Sequence, residues 1–124
     1  MNTEMTRQES LQSLANDWAK TYTKDLATAL IGYKDVIMAD YAKFAKDLEF
    51  VRDNFGVEFA VGNKYVKVIT VSAGGSRSVH SFVDVKTGDI WKAASWKAPA
   101  KNFARGNVFN QSTYIKNTRW TGIC

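Results

Sequence analysis

Apolar residues in the first half of the chain recur at steps of three and four positions, and no proline interrupts residues 8–54. This spacing places side chains on one face of a helix. We therefore expect long helices over residues 1–56, with a kink or break near Gly32 and a stop at Gly56. The series that carries the pattern is Leu11, Leu14, Trp18, Tyr22, Leu26, Leu30, Tyr33, Ile37, Tyr41, Phe44, Leu48, Val51 and Phe55.

The second half alternates apolar and polar residues over short runs that are separated by turn signals. The runs predict strands over residues 57–61, 65–71, 79–85 and 90–94, with a short edge strand within 113–120. Turns are expected at Gly62-Asn63, at residues 73–77 and at residues 86–89, where Gly88 supplies a positive φ. Strands joined by short turns pair antiparallel. The predicted fold class is α+β: a helical scaffold over 1–56 packed on an antiparallel sheet of about four strands over 57–124, in one domain.

The pattern within 79–85 also predicts which side chains face the helices. Val79, Val83 and their alternate neighbours form the more apolar face, which we expect to pack on the helices. His80 and Phe82 are then expected on the opposite, open face of the sheet.

The apolar seam of the helical half is longer than one small sheet buries. Either the helices pack on each other, or the seam packs on another copy of the chain. We expect a homo-oligomer, at least a dimer, formed through the helical half.

Composition narrows the possible chemistry. The 124 residues contain one histidine, His80, and one cysteine, Cys124. A zinc site with two or three histidines is excluded within one chain, and Cys124, as the last residue, is a poor candidate for a positioned nucleophile. No apolar run approaches the roughly 18 residues of a membrane span, and the polar N-terminus is not a secretory signal. These features favour an intracellular protein without a membrane contact.

Charge divides the chain into two halves. Residues 1–56 carry seven basic and nine acidic residues, a net charge of −2, whereas residues 57–124 carry ten basic and three acidic residues, a net charge of +7. No acidic residue follows Asp89. This asymmetry indicates an anionic partner for the C-terminal half, with a merely solvated basic surface as the alternative.

A segment over residues 91–107 interleaves aromatic and basic side chains, a composition that holds nucleotides by stacking and phosphate neutralisation. The alternative is that its tryptophans anchor the core and its lysines only solvate the rim. Gly106 is expected to turn the backbone so that Arg105 and Asn107 point at one ligand. The predicted ligand-binding residues are Trp91, Trp96, Lys97, Arg105, Asn107 and Arg119.

Catalysis is not expected. General acid–base chemistry needs two positioned groups. The basic half offers only Glu58, Asp84 and Asp89, and His80 lies ~13 Å from Asp84 along a strand. We predict no catalytic residues, no metal and no cofactor.

The block over residues 77–101, RSVHSFVDVKTGDIWKAASWKAPAK, followed by Arg105-Gly106-Asn107, resembles small proteins encoded by tailed bacteriophages. The resemblance covers roughly residues 63–110. Chain size, helix-then-sheet order and expected oligomerisation are also similar to the first-described Thoeris anti-defence family. Those phage proteins sequester cyclic ADP-ribose signals, and some trap cyclic oligonucleotides, without cleaving them.

The resemblance implies an anti-defence sponge for a cyclic nucleotide immune signal in the host cell cytoplasm. A nucleic-acid-binding or host-modulating phage protein explains the basic half equally well. The third hypothesis is a protein-binding inhibitor that uses the helical face.

Overall fold

The first described element is a helix, α1, which spans Lys24–Phe44. The protein is represented by a computed structural model that describes residues 24–48 and 54–124. The predicted helical positions from Leu11 to Tyr22, and Val51, lie outside the described residues. The helix continues through Gly32, so the predicted break at this glycine is wrong. Within the described ranges, no helix is long and apolar enough to cross a membrane.

The buried face of α1 follows the predicted period of three and four residues. Its inward side chains are at most 5% exposed and comprise Leu26, Leu30, Tyr33, Ile37 and Tyr41. They share one core with strand residues that include Val66, Val68 and Val83. Full burial of one such apolar side chain contributes about 1.5–3 kcal/mol, so this stripe fixes the helix on the sheet.

The helix ends earlier than the sequence predicts. It stops at Phe44, and a turn follows at residues 45–47. Phe55 is buried, but it precedes a strand and stacks on Tyr41 with ring centroids 3.8 Å apart. The predicted helix stop at Gly56 is wrong because this residue opens the first strand. Periodic burial at Phe55 therefore reflects packing against α1 and not continued helix.

Five antiparallel strands form the main sheet in chain order. They are β1 (Gly56–Val61), β2 (Tyr65–Val71), β3 (Arg77–Asp84), β4 (Asp89–Lys92) and β5 (Gly106–Asn107). The predicted antiparallel meander is confirmed, and β5 adds a fifth strand. Gly88 adopts φ 80° in the turn before β4, as predicted, a conformation that favours glycine.

β3 contains a bulge at His80. Residues 68 and 69 of β2 pair with residues 81 and 79 of β3, so His80 is the extra residue between two pairs. Because a bulge interrupts the alternation of side chains, His80 and Ser81 both reach Tyr33 on α1. The prediction that His80 lies on the open face is wrong.

The sheet face turned away from α1 is called the open face. Phe82 lies on it as predicted, yet this side chain is only 3% exposed. Residues 93–105, called the covering segment, fold back over this face. The segment begins and ends on β4, since Ala100 N–H donates to Lys92 O and Arg105 N–H to Ile90 O, each at 2.7 Å.

The residues after β5 return to the side of α1. A 3₁₀ helix (Gln111–Thr113) leads to β6 (Thr118–Arg119) and β7 (Gly122–Ile123), which form a separate two-stranded sheet. Trp120, between these strands, donates its backbone N–H to Asp40 of α1 at 2.8 Å. The short strand predicted within residues 113–120 is present as β6, but its predicted place at the edge of the main sheet is wrong because β6 pairs with β7.

Candidate functional site

The open face carries a row of side chains from neighbouring strands. Lys67 of β2 is the cross-strand partner of Phe82, and Phe82 is the partner of Trp91 on β4. Directly paired residues point to the same side of a sheet. Tyr65 lies two residues before Lys67 and shares that side. Strand pairing thus assembles aromatic and basic groups that are distant in sequence.

Trp96, in the covering segment, is an exposed aromatic side chain with two cations near its ring. Trp96 is 42% exposed to solvent. Lys67 Nζ lies 4.4 Å from the ring centroid, and Arg77 Cζ lies 5.8 Å from it. Arg77 is held in turn by Glu58 through an ion pair of 2.8 Å. The ring is therefore presented at the surface by cation–π contacts and is not a core anchor.

A groove of about 380 Å³ runs along the open face below Lys97. This volume lies in the range of small-molecule sites, roughly 300–1,000 Å³. The lining contains three lysines and no carboxylate, so the groove has a positive potential. Its lining residues are Ala60, Val61, Gly62, Asn63, Lys64, Tyr65, Lys67, Phe82 and Lys97.

Tyr65 and Lys64 of the groove lie close to Lys101, which also contacts the ring of Trp91 beside the groove. Lys101 Nζ lies 5.6 Å from the Tyr65 ring centroid and 5.7 Å from the Trp91 ring centroid. Lys64 Nζ lies 5.5 Å from the Tyr65 centroid. Polar interaction with Tyr65 raises the pKa of Lys101, so this lysine stays charged at neutral pH. The Tyr65 hydroxyl nevertheless forms no hydrogen bond with any described group, and neither does Trp91 Nε1.

The predicted residues Trp91, Trp96 and Lys97 are brought together on or over the open face. Arg105 lies at the end of the covering segment. Its guanidinium stacks 3.9 Å from the Phe103 ring centroid. The Arg105 side chain is thus partly occupied by its own segment.

Asn107 is a structural amide in this fold. Its Nδ2 donates to Thr87 O at 2.8 Å and to Asp89 Oδ1 at 3.1 Å, and its Oδ1 accepts from Phe109 N–H at 2.9 Å. These bonds tie β5 to the turn before β4. The amide that was predicted to contact ligand is therefore already engaged within the chain.

Gly106 has a different role from the one predicted. It lies in β5 without a positive φ, so it does not turn the backbone toward a ligand. A Cβ at this position would lie 2.9 Å from the Tyr114 Cβ and 3.0 Å from Thr113 O. The glycine instead permits close packing of β5 against the 3₁₀ region.

Arg119 lies on the other side of the sheet. Its guanidinium donates to Lys116 O at 3.0 Å and to Thr118 O at 3.1 Å. Its carbonyl accepts from His80, which points toward α1. The sheet separates Arg119 from Trp96, so the structure does not bring these two predicted residues into one site.

His80 belongs to a buried hydrogen-bond chain between α1, the β3 bulge and β6. Its Nε2 lies 2.6 Å from Arg119 O, and this nitrogen must donate because a carbonyl only accepts. Nδ1 then accepts from Ser81 Oγ at 2.8 Å, and Tyr33 Oη lies 2.8 Å from the same Oγ. Burial lowers the pKa of His80 to about 4 and raises that of Tyr33. The side chains of this hydrogen-bond chain are neutral at physiological pH, and they have a structural role.

Each carboxylate of the basic half is engaged in a structural contact. Glu58 pairs with Arg77. Asp84 accepts from two N–H groups of the following turn at 2.8 and 3.0 Å, and Asp89 accepts from Asn107. Among the described residues, no three His, Cys, Asp or Glu side chains form a group that would hold a metal ion. The groove therefore presents binding groups, with no acid–base pair among its lining residues.

Four further residues belong to the candidate site but are not among the ligand-binding residues predicted from sequence. They are Lys64, Tyr65, Lys67 and Arg77. A signal for two of them was available. Tyr65 and Lys67 alternate with Val66 and Val68, and the valines are fully buried. Strand alternation therefore assigns Tyr65 and Lys67 to the face opposite the core.

Residues 2–124 match a known protein family described as Family of unknown function (DUF7717). The chain belongs to this family. No curated protein and no solved structure matches it. The family description assigns no activity.

Proposed function

We propose that this protein binds a small nucleotide-type ligand on the open face and sequesters it without cleaving it. Following the phage-protein resemblance, the proposed ligand is a cyclic nucleotide immune signal, of the cyclic ADP-ribose type or a cyclic oligonucleotide, in the host cell cytoplasm. The observation that carries the proposal is the exposed ring of Trp96 beside a groove lined by lysines.

The chemistry of the site supports a ligand with both a planar ring and negative charge. A base stacked on an exposed aromatic side chain contributes about 1–3 kcal/mol to binding. Lys67 lines the groove and also contacts the Trp96 ring, so stacking and charge neutralisation meet at one point. A ligand that lacks either the planar ring or the negative charge makes only one of these two kinds of contact.

Binding without turnover is supported by the state of the nearby acids. Glu58 and Asp84 are committed to Arg77 and to a backbone turn, respectively. His80, the single histidine, is 3% exposed and points away from the groove. General acid–base catalysis requires groups within hydrogen-bond reach of the reacting atoms.

The deciding experiment measures depletion of a panel of cyclic nucleotides from solution, followed by heat denaturation of the protein. We expect a ligand to be depleted and then released intact. Release of an altered ligand contradicts sequestration and indicates an enzyme. If no nucleotide is depleted, the proposal is wrong.

Replacement of Trp96 by alanine locates the binding surface. We expect affinity to fall about tenfold to a hundredfold through lost stacking, with little change in Tm because the side chain is 42% exposed. Phe103→Ala is the matched control, since Phe103 is a 57% exposed aromatic in the same covering segment and packs on Arg105. A large fall in Tm for Trp96→Ala with unchanged affinity would contradict a stacking role.

The second candidate function is binding of single-stranded nucleic acid. An exposed aromatic ring beside lysines on a sheet also supports this, because every base offers a ring face. Salt dependence separates the two. A polymer releases many counterions, so its affinity falls steeply with salt, whereas a small ligand in the groove is less sensitive.

A further inference from the structure

Two buried hydrogen-bond donors of the open face have no acceptor in the described structure. They are Tyr65 Oη and Trp91 Nε1. A buried donor that stays unpaired is destabilising and uncommon in native proteins. The two rings that carry these donors share Lys101 as a neighbour, so one bound acceptor beside this lysine would account for both.

The groups around these donors are cationic. The Lys101 ammonium lies over both rings, at 5.6 Å from the Tyr65 centroid and 5.7 Å from the Trp91 centroid. Lys64 approaches the Tyr65 ring from 5.5 Å. Lys101 is exposed, so its side chain moves aside at little cost. An acceptor that binds here meets two N–H or O–H donors and two positive charges.

We infer that a phosphate group with two negative charges binds at a site called the phosphate seat. This site is formed by Tyr65, Trp91, Lys64 and Lys101. This inference rests on the proposed function and extends it by locating the charged part of the ligand. Phosphate oxygens only accept, and they are numerous enough to satisfy both donors together with the lysines. Lysine ammonium groups act as point charges and do not select the planar geometry of a carboxylate.

The position of the seat fits a nucleotide whose base stacks on Trp96. Lys67 Nζ lies 4.4 Å from the Trp96 ring centroid, and Tyr65 is two residues from Lys67 on the same side of β2. Two residues along a strand span about 7 Å. A sugar bridges such a distance between a base and its phosphate. The doubly charged group is either a terminal phosphomonoester or a bridging diphosphate.

The test compares wild type with Tyr65→Phe, which removes the hydroxyl that has no acceptor and, with it, the polar interaction with Lys101. Affinities are measured by calorimetry for adenosine, adenosine 5′-monophosphate, ADP-ribose and inorganic pyrophosphate. We expect the variant to bind at least one phosphate-bearing nucleotide about tenfold more weakly and adenosine unchanged. Sensitivity of the monophosphate identifies a phosphomonoester seat, and sensitivity of ADP-ribose identifies a diphosphate seat. The Tm of the free protein should change little, because Tyr65 Oη has no hydrogen-bond acceptor to lose.

A lysine pair provides the matched control. Lys101→Met should weaken binding of the same phosphate-bearing ligands, whereas Lys116→Met, at an exposed lysine near β6, should leave their affinity unchanged. Equal loss in both variants means that overall charge and not the seat attracts the ligand, which overturns the inference.

The outcomes separate this inference from the proposed function. If wild type binds nucleotides and Tyr65→Phe binds them equally well, the phosphate seat is wrong and the proposed function stands. If wild type binds only pyrophosphate, and Tyr65→Phe weakens it, the seat stands and nucleotide binding is wrong. If neither nucleotides nor pyrophosphate bind to wild type, both are wrong.

Discussion

Lowering the pH from 7.5 to 5 should destabilise the protein through His80. In the folded state this imidazole is 3% exposed and already uses both nitrogens, Nε2 as donor to Arg119 O and Nδ1 as acceptor from Ser81. A second proton on Nδ1 would replace that acceptor with a donor and place a charge among buried groups. Burial accordingly lowers the pKa of His80 from 6.5 to about 4.

The size of the effect follows from the two pKa values. The unfolded chain takes up the proton near pH 6.5, whereas the folded protein resists until about pH 4. The contribution of His80 to the free energy of unfolding is therefore fully present above about pH 6.5, falls as the pH drops toward 4, and levels off below that. Linkage gives a loss of about 2 kcal/mol between pH 7.5 and 5 and about 3 kcal/mol in full.

Urea unfolding at several pH values, with a titration of the imidazole ring protons by NMR, measures both quantities. The chain has one histidine, so the NMR signal needs no assignment by mutation. His80→Gln keeps a donor and an acceptor but does not titrate, and its free energy of unfolding should change little over the same range. A ring titration midpoint near 6.5, or an unfolding free energy that is flat from pH 7.5 to 5, would refute the reasoning.

Three further predictions concern positions away from the open face. Gly88→Ala should lower the free energy of unfolding by about 1–2 kcal/mol, because φ is 80° and the new Cβ would lie 2.5 Å from the Phe109 ring; chemical denaturation measures this loss. Arg119→Ala should leave nucleotide affinity within about twofold of wild type, since one ligand does not reach both sides of the sheet; calorimetry checks it. Phe44→Asp combined with Leu48→Asp should convert the predicted homo-oligomer to monomers with an unchanged circular dichroism spectrum, because these side chains are 63% and 56% exposed. A wild-type monomer in light scattering would contradict that last prediction.

The helical register was predictable because one physical requirement dominates it. Leu26, Leu30 and Tyr33 must face the sheet together, and only a period near 3.6 achieves this. Phe55 satisfies the same period by coincidence. It is buried by stacking on Tyr41, which spacing along the chain does not distinguish from another helical turn.

The strand faces were predictable only up to the bulge. Simple alternation assigns Phe82 to the open face correctly and fails two residues earlier, at His80. A bulge depends on how two strands share a register, and it leaves no mark in either strand alone. For the same reason, the buried hydrogen bonds that link His80 to Tyr33 and Ser81 could not be predicted from the sequence.

The candidate site was predictable where its residues are close in sequence. Trp91, Trp96 and Lys97 come from the predicted basic aromatic segment, whereas Lys67 reaches them through strand pairing from β2. Arg119 was grouped with them on charge alone, which does not reveal the side of a sheet. Composition thus identified the type of surface but not its full membership.

The covering segment leaves β4 and returns to the same strand, with hydrogen bonds from Ala100 to Lys92 and from Arg105 to Ile90. Its length is therefore independent of the pairing between strands. Lengthening a surface loop costs little free energy, and loops tolerate insertions better than the elements they connect. We therefore expect members of the family to differ in length in this segment more than in the sheet or in α1.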